Sequence, residues 1–304
     1  YGCIIGGLYA SGYSGKEIEY AFSQMDVDKL IQDYVPRSSK GFNQKRNDEL
    51  YFLNLPFKNF KISSPRGLSK GMYNFNTLSR LTYHVRHVND FSQLPIPFFC
   101  VATNIETGEE VLLKKGNLAQ AIIASGALPT LYNPVEIDGK LLVDGGVKNN
   151  YPVEELRKLG ADIIIGVDVQ DGLKDRLELQ SVTSVLMQIS NFNTIEKMKD
   201  KVLLTNIYIK PDVKGLTVLS FDKSNTIIKK GEEAALKEVL QLSKLKSNNV
   251  FEKEKINVCD SITIKNITIN NLNNYTRSYV IGKLNIKPNE KIPFNKFEKG
   301  INSL

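Results

Sequence analysis

The longest apolar stretches of this chain, such as Ile163 to Val169, are strand-sized. None approaches the roughly 18 consecutive apolar residues that a membrane-crossing helix requires. A nearly continuous apolar run of that length is the pattern of a strand covered on both faces. Around it, strand-like and helix-like segments alternate, which argues for an α/β layered domain. With 304 residues, the chain has room for one large domain and a small second one.

Local signals place the elements. Cys3 to Ala10 reads as a short helix, with Ile4, Ile5 and Leu8 on one apolar face, Gly6 and Gly7 allowing another backbone to come close, and Gly12 as the stop. Ser14 and Glu17 have capping-box spacing ahead of a helical face of Ile18, Ala21, Phe22 and Met25. Residues 34 to 70 are irregular, basic and aromatic, and are broken by prolines. A helix is expected over Asn76 to Val88. Phe98 to Asn104 and Glu110 to Leu113 read as strands joined by a turn. Asn117 caps a helix through Ser125, and Leu141 to Val143 is a short strand leading into Asp144-Gly145-Gly146. Pro152 opens a helix that Gly160 stops. Leu203 to Ile209 is expected as a strand and Ser224 to Leu245 as a helix, with a polar linker over Ser243 to Lys255. Residues 256 to 304 form a separate small unit. It has a strand-like Ile262 to Ile269, a helix near Thr276 to Leu284, and a second helix from Phe294 with no closing strands.

Several kinds of chemistry are disfavoured by composition. Three cysteines without a CxxC pair argue against a disulfide framework or a structural zinc site. Cys100, inside Phe98-Phe99-Cys100-Val101-Ala102, reads as a small buried hydrophobe. Two histidines, His84 and His87, argue against an imidazole metal centre. They sit three apart on a helix-like segment and read as a solvated face. Of the seven net positive charges, five fall between Lys255 and Leu304, where eight Lys and Arg face three Asp and Glu. Such a surface could meet anionic lipid. The aromatic-basic interleaving of a nucleic-acid platform is absent, so no nucleic-acid partner is expected.

Two segments carry the candidate chemistry. A glycine-rich turn entering a small-residue helix is where hydrolases place a nucleophile in G-x-S-x-G, with the helix N-terminus stabilising the oxyanion. Tyr1-Gly2 can only be the last two positions of that motif, so the serine falls immediately before Tyr1. A chain that begins in mid-motif is expected to be a fragment. Asp144, at a strand tip beside two glycines, can approach a second catalytic group, and partial desolvation would raise its pKa toward general-base use. Read alone, Asp-Gly is equally a common turn pair. No histidine follows Asp144 in this sequence, which argues against a Ser-Asp-His order and makes a Ser-Asp dyad the economical hydrolase. Ser125 is the other nucleophile candidate, but it lacks flanking glycines and a visible base, and reads as a helix-terminal structural serine. Asp168, at the end of an apolar strand, could bind a ligand at a sheet's carboxyl edge, although a polar strand end is the default. Asn266-Ile267-Thr268 and Asn274-Tyr275-Thr276 match glycosylation sequons of the kind that arise by chance in an Asn-rich segment.

These segments, taken in order, resemble the bacterial patatin-like phospholipases. The resemblance runs through Gly2-Cys3-Ile4-Ile5-Gly6-Gly7-Leu8-Tyr9-Ala10-Ser11-Gly12, Leu94 to Asn104 with Thr107-Gly108-Glu109, and Ala124-Ser125-Gly126-Ala127-Leu128-Pro129. It continues through Leu142-Val143-Asp144-Gly145-Gly146-Val147-Lys148-Asn149-Asn150-Tyr151-Pro152-Val153 to Leu159-Gly160-Ala161-Asp162. It implies a three-layer α/β/α hydrolase domain with a mainly parallel sheet over residues 1–245. It also implies a Ser-Asp dyad that cleaves acyl esters of lipids through an acyl-enzyme, with no metal or cofactor. By that likeness Asp144 is the proton acceptor, Gly145 and Gly146 complete the Asp-Gly-Gly motif, and Tyr1 and Gly2 end the serine motif. The chain as given, without its serine and the upstream oxyanion loop, is expected to be inactive. A phospholipid or other acyl-ester lipid is the implied substrate and a membrane surface the implied partner. The alternative is a non-catalytic patatin-fold scaffold or interaction module.

The last fifty residues resemble the first half of a POTRA domain, through Ser278-Tyr279-Val280-Ile281, Leu284-Asn285-Ile286-Lys287 and Phe297-Glu298-Lys299-Gly300-Ile301. This implies a truncated β-α-α module over 256–304, a bacterial envelope location, and an outer-membrane β-barrel beyond Leu304.

Overall fold

The computed structural model describes residues 2–25, 30, 57–58, 61–62, 67–180, 182–216, 220–245, 260–270, 272 and 275–304. Tyr1, most of the aromatic-basic region from Tyr34 to Pro65, most of the expected linker and Asn274 lie outside them.

Helix α1 (Gly2–Ala10) ends at Gly12, whose φ of 111° only glycine adopts freely. Helix α2 (Gly15–Ser23) starts from a complete capping box. Ser14 Oγ accepts the Glu17 N–H, and Glu17 Oε2 accepts the Ser14 N–H at 2.7 Å. Strands β1 (Phe57–Lys58) and β2 (Lys61–Ile62) pair antiparallel, and β3 (Gly67–Ser69) precedes helix α3 (Met72–Leu81). The helix expected over Asn76 to Val88 therefore starts and ends earlier, and only a short 3-10 turn, Tyr83–Val85, continues it. His84 is not on a solvated face: its Nε2 lies 2.8 Å from Ser11 O, and its ring stands edge-on to Tyr13.

The central sheet contains β4 (Cys100–Asn104), β5 (Glu110–Leu113), β7 (Val135–Ile137) and β8 (Lys140–Asp144), in the order β5-β4-β8-β7. All three pairings are antiparallel, in contrast to the mainly parallel sheet expected from the sequence. For β4–β5 and β7–β8 the reason is local. Gly108, with φ 70°, closes the β4–β5 turn, and Asp138 and Gly139, both at positive φ, close the β7–β8 hairpin. Such short turns can join only antiparallel neighbours.

Helix α4 (Leu118–Ser125) is capped by Asn117 and lies on this sheet. Its buried Ala121, Ile122 and Ala124 join Phe91, Ala102 and Leu142 in the main core. Gly7 of α1 lies where a Cβ would strike the Ile122 side chain, and a Cβ on Gly6 would press on Phe98. The small residues of α1 thus admit large side chains rather than another backbone. Strand β6 (Thr130–Tyr132) runs parallel to β3.

Helix α5 (Val153–Lys158) begins after Pro152 and leads to β9 (Ile165–Val167). Helix α6 (Val182–Leu203) follows, so Leu203 ends a helix rather than opening a strand. Strand β10 (Ile207–Ile209) pairs parallel with β9. The strand expected to be covered on both faces is covered on one. Ile164 is buried, whereas Ile163, Ile165, Val167 and Val169 are about half exposed or more among the described residues. Helices α7 (Ser224–Lys237) and α8 (Val239–Lys244) divide what the sequence reads as one helix. No helix among the described residues is long and apolar enough to cross a membrane.

The C-terminal residues form their own core of Ile262, Leu284, Ile286, Ile292 and Phe294. It is built from β11 (Ser261–Thr263), α9 (Arg277–Leu284), β12 (Lys291–Pro293) and α10 (Phe294–Asn302). Strand β12 pairs antiparallel with β11, so a strand stands between the two helices where none was expected. Tyr83 packs against this core, with its ring 5.5 Å from that of Phe294 and edge-on to it.

Candidate active site

Asp144 is the last residue of β8, opposite Ala102 of β4. Three backbone-directed hydrogen bonds fix its place. Its N–H donates to Ala127 O at 2.9 Å, Thr103 Oγ1 donates to its carbonyl at 3.0 Å, and its Oδ1 accepts the Gly146 N–H at 2.6 Å. The first glycine that follows is sterically required: a Cβ on Gly145 would fall on the backbone carbonyl of Val101. One on Gly146 would meet only side-chain oxygens, Asn150 Oδ1 and Asp144 Oδ1, at 2.9 Å. Gly145 is therefore what lets the chain turn this tightly against β4.

Burial raises the Asp144 carboxyl above its ordinary value, while the Gly146 hydrogen bond pulls the other way. Among the described residues this carboxylate accepts a hydrogen bond from Gly146 alone. Half-buried, with one donor among the described residues, it is an acid whose charged form is disfavoured by burial.

The amino end of α1 reaches the same place. Cys3 Sγ lies 3.6 Å from Ile122 O and 3.9 Å from where a Cβ on Gly126 would stand. The turn Gly126–Ala127 is thus touched from one side by α1 and from the other by Asp144. Of the residues singled out from the sequence, Asp144, Gly145 and Gly146 form this turn, Gly2 opens α1, and Tyr1 lies outside the described residues.

The other candidates are placed differently. Ser125 is buried at the end of α4 in hydrogen-bond contact with Cys100, whose thiol burial pushes well up. Asp168 is also buried, but it is saturated. Tyr208 OH donates to it at 2.6 Å, Lys210 Nζ at 2.8 Å, and the Gln170 N–H at 2.8 Å. His87 is exposed. Among the described residues no group of three or more His, Cys, Asp or Glu side chains could hold a metal ion.

The sequence reading missed a buried polar cluster behind the Asp144 turn: Asn149, Glu155 and Lys201, with Glu110 at its rim. One signal could have found Lys201. Thr194, Met198 and Lys201 have the spacing of one helix face, and all three turn inward.

The chain thus carries a half-buried aspartate at a strand tip, followed by two glycines and held by backbone hydrogen bonds. Residues 1–157 match the family model described as patatin-like phospholipase, which covers just over half of the chain. The chain belongs to the patatin-like phospholipase family. It is 42% identical over 77 residues to an uncharacterised NTE family protein of Mycobacterium tuberculosis, across 25% of this chain and 21% of that protein. It is 33% identical over 114 residues to patatin-like phospholipase domain-containing protein 6 of Homo sapiens, across 36% of this chain and 8% of that protein. It is also 26% identical over 166 residues to lysophospholipase NTE1 of Candida glabrata, across 45% of this chain and 9% of that protein. The chain therefore spans about a fifth or less of the length of these relatives.

Proposed function

We propose that this chain supplies the general base of a lipid acyl ester hydrolase, acting with a serine placed immediately before Tyr1. The observation that carries the reading is the shared turn. Cys3 near the start of α1 approaches Ile122 O and Gly126, and the Asp144 N–H donates to Ala127 O, so α1 and the Asp144 strand tip meet the same short stretch of chain, which supports the reading.

In this mechanism the serine oxygen attacks the ester carbonyl carbon as its proton passes to Asp144. The tetrahedral oxyanion is stabilised by free N–H groups at the start of α1. It collapses by breaking the bond to the alcohol oxygen, which leaves with the proton from Asp144. Water then attacks the acyl-enzyme, Asp144 again takes the proton, and fatty acid departs while the serine is reprotonated. The raised carboxyl of Asp144 makes it a stronger base than an exposed aspartate.

A phospholipid or similar acyl-ester lipid presented at a membrane surface is the substrate in this reading. The basic excess of the C-terminal unit favours an anionic surface. The domain boundaries at 245 and 256, the POTRA-like module, the envelope location and a β-barrel beyond Leu304 belong to the same proposal and rest on resemblance alone.

The test is Asp144→Asn in the full-length parent. Ester hydrolysis should fall by about 10²–10⁴-fold, the range general-base catalysis contributes, with the circular dichroism spectrum unchanged. Retained hydrolysis overturns the dyad. A codon for a non-nucleophilic residue immediately before Tyr1 would replace the enzyme by the scaffold reading.

A further inference from the structure

We infer that Lys201 is a positioning residue for the Asp144 turn, acting through Asn149 from a helix outside the family-matched residues 1–157. The inference rests on the base role proposed for Asp144.

Asn149 closes the turn that Asp144 opens. Its N–H donates to Gly145 O at 2.8 Å, beside the Lys148 N–H, which donates to the same oxygen at 3.0 Å. The Asn149 side chain is buried with every hydrogen-bonding group engaged. Its Nδ2 donates to Glu110 Oε2 of β5 at 2.7 Å and to Glu155 Oε2 of α5 at 3.0 Å. Its Oδ1 accepts from Lys201 Nζ of α6, which also donates to Tyr151 O at 2.9 Å. One amide thus ties the turn to a strand and two helices. The other end of the turn is closed by the Gly146 N–H on the Asp144 carboxylate.

The charges explain why a lysine stands there. Glu110, Glu154 and Glu155 face the ammonium, and Lys197 opposes them from the same helix. Without Lys201, two carboxylates would converge on one buried amide whose oxygen had lost its donor. Lys201 is 6% exposed. Burial disfavours its charge, and a well-packed apolar side chain would hold α6 in place with less desolvation. What the ammonium adds is a directed bond to Asn149. A general base must sit within hydrogen-bond reach of the proton it takes, so this bond bears on rate.

The test is Lys201→Met in the full-length parent, with kcat and KM for a lipid ester and hydrogen exchange of the peptide spanning 140–150. Support is a kcat lower by about 10- to 100-fold, the cost of ångström-scale misplacement, with KM within about twofold. The 140–150 peptide should exchange faster while peptides from β4 and α4 keep their protection. Native kcat with native exchange overturns the inference, as does a loss confined to KM. Should Lys201→Met fail to fold, Asn149→Ser is read in the same way, and unfolding of both variants assigns the cluster to folding alone and also overturns it. The two readings separate cleanly. If Asp144→Asn stays active, the base assignment fails while the exchange of 140–150 still reports on the clamp. If Lys201→Met behaves as native, the clamp fails and Asp144 is untouched.

Discussion

Two short apolar strands of this molecule each end in a partly or fully buried aspartate, and their surroundings differ completely. Asp168, after β9, is held by a tyrosine hydroxyl, a lysine ammonium and a backbone N–H. Its charge is neutralised and its oxygens are occupied. Asp144, at the end of β8, accepts one backbone N–H among the described residues, and burial raises its carboxyl. Two similar strand tips thus hold aspartates in unlike surroundings, one ion-paired and fully bonded, the other with a single backbone donor among the described residues, because the partners come from elsewhere in the fold.

The sharpest way to break this comparison is to make the same change at both positions in the full-length parent. Asp144→Asn should cost about 10²–10⁴-fold in ester hydrolysis, whereas Asp168→Asn should leave the rate within a few-fold. Equal losses would mean that the contrast between the two carboxylates has no catalytic meaning.

Stability should show a different order. Gly145→Ala forces a methyl against the Val101 carbonyl, which is backbone and has little room to retreat. Overpacking of that kind costs about 1–3 kcal/mol or more, read as a drop in urea midpoint at unchanged slope. Asp168→Asn leaves Lys210 and Tyr208 with a weaker acceptor, and the expected loss is about 1–3 kcal/mol.

The smallest effect expected is one of pH, and its sign is opposite for stability and rate. The folded-state pKa of Asp144 is raised above its unfolded value, so the native state holds the proton more tightly. Stability from this group is present below the unfolded pKa and is lost as pH rises through the folded pKa. Hydrolysis needs the carboxylate, so its acid limb should rise over that same interval, above the ordinary aspartate range. Asp144→Asn should remove this stability decline, and unchanged melting curves from pH 4 to 7 in both proteins would contradict the raised pKa.

Much of the fold was legible because the signals are local. The Ser14–Glu17 capping box, the Asn117 cap, the Gly12 stop and the strand Glu110–Leu113 all depend on residues close together in sequence. The Asp144-Gly145-Gly146 run was equally readable, since a side chain on Gly145 would strike the Val101 backbone. Helix α6 was not legible, because its apolar residues do not follow one buried stripe. Val185, Leu186, Ile189 and Phe192 remain exposed while Thr194 and Lys201 turn inward. The mainly parallel sheet was an implication of the family resemblance, and the apolar run at Ile163–Val169 suggested cover on both faces; among the described residues β9 pairs parallel with β10, in a sheet separate from the antiparallel one that holds Asp144.

The sequence by itself determined where the chain turns, caps and bends, and which aspartate lies in an Asp-Gly-Gly setting. Those properties come from backbone sterics and neighbouring hydrogen bonds. Only the tertiary structure decided which aspartate keeps a single donor among the described residues and which lysine reaches its turn. Tyr208 and Lys210 meet Asp168 from some forty residues away, and Lys201 meets Asn149 across 52. Electrostatic environment is set by burial and by partners distant in sequence, and neither is written in the residues adjoining a charge.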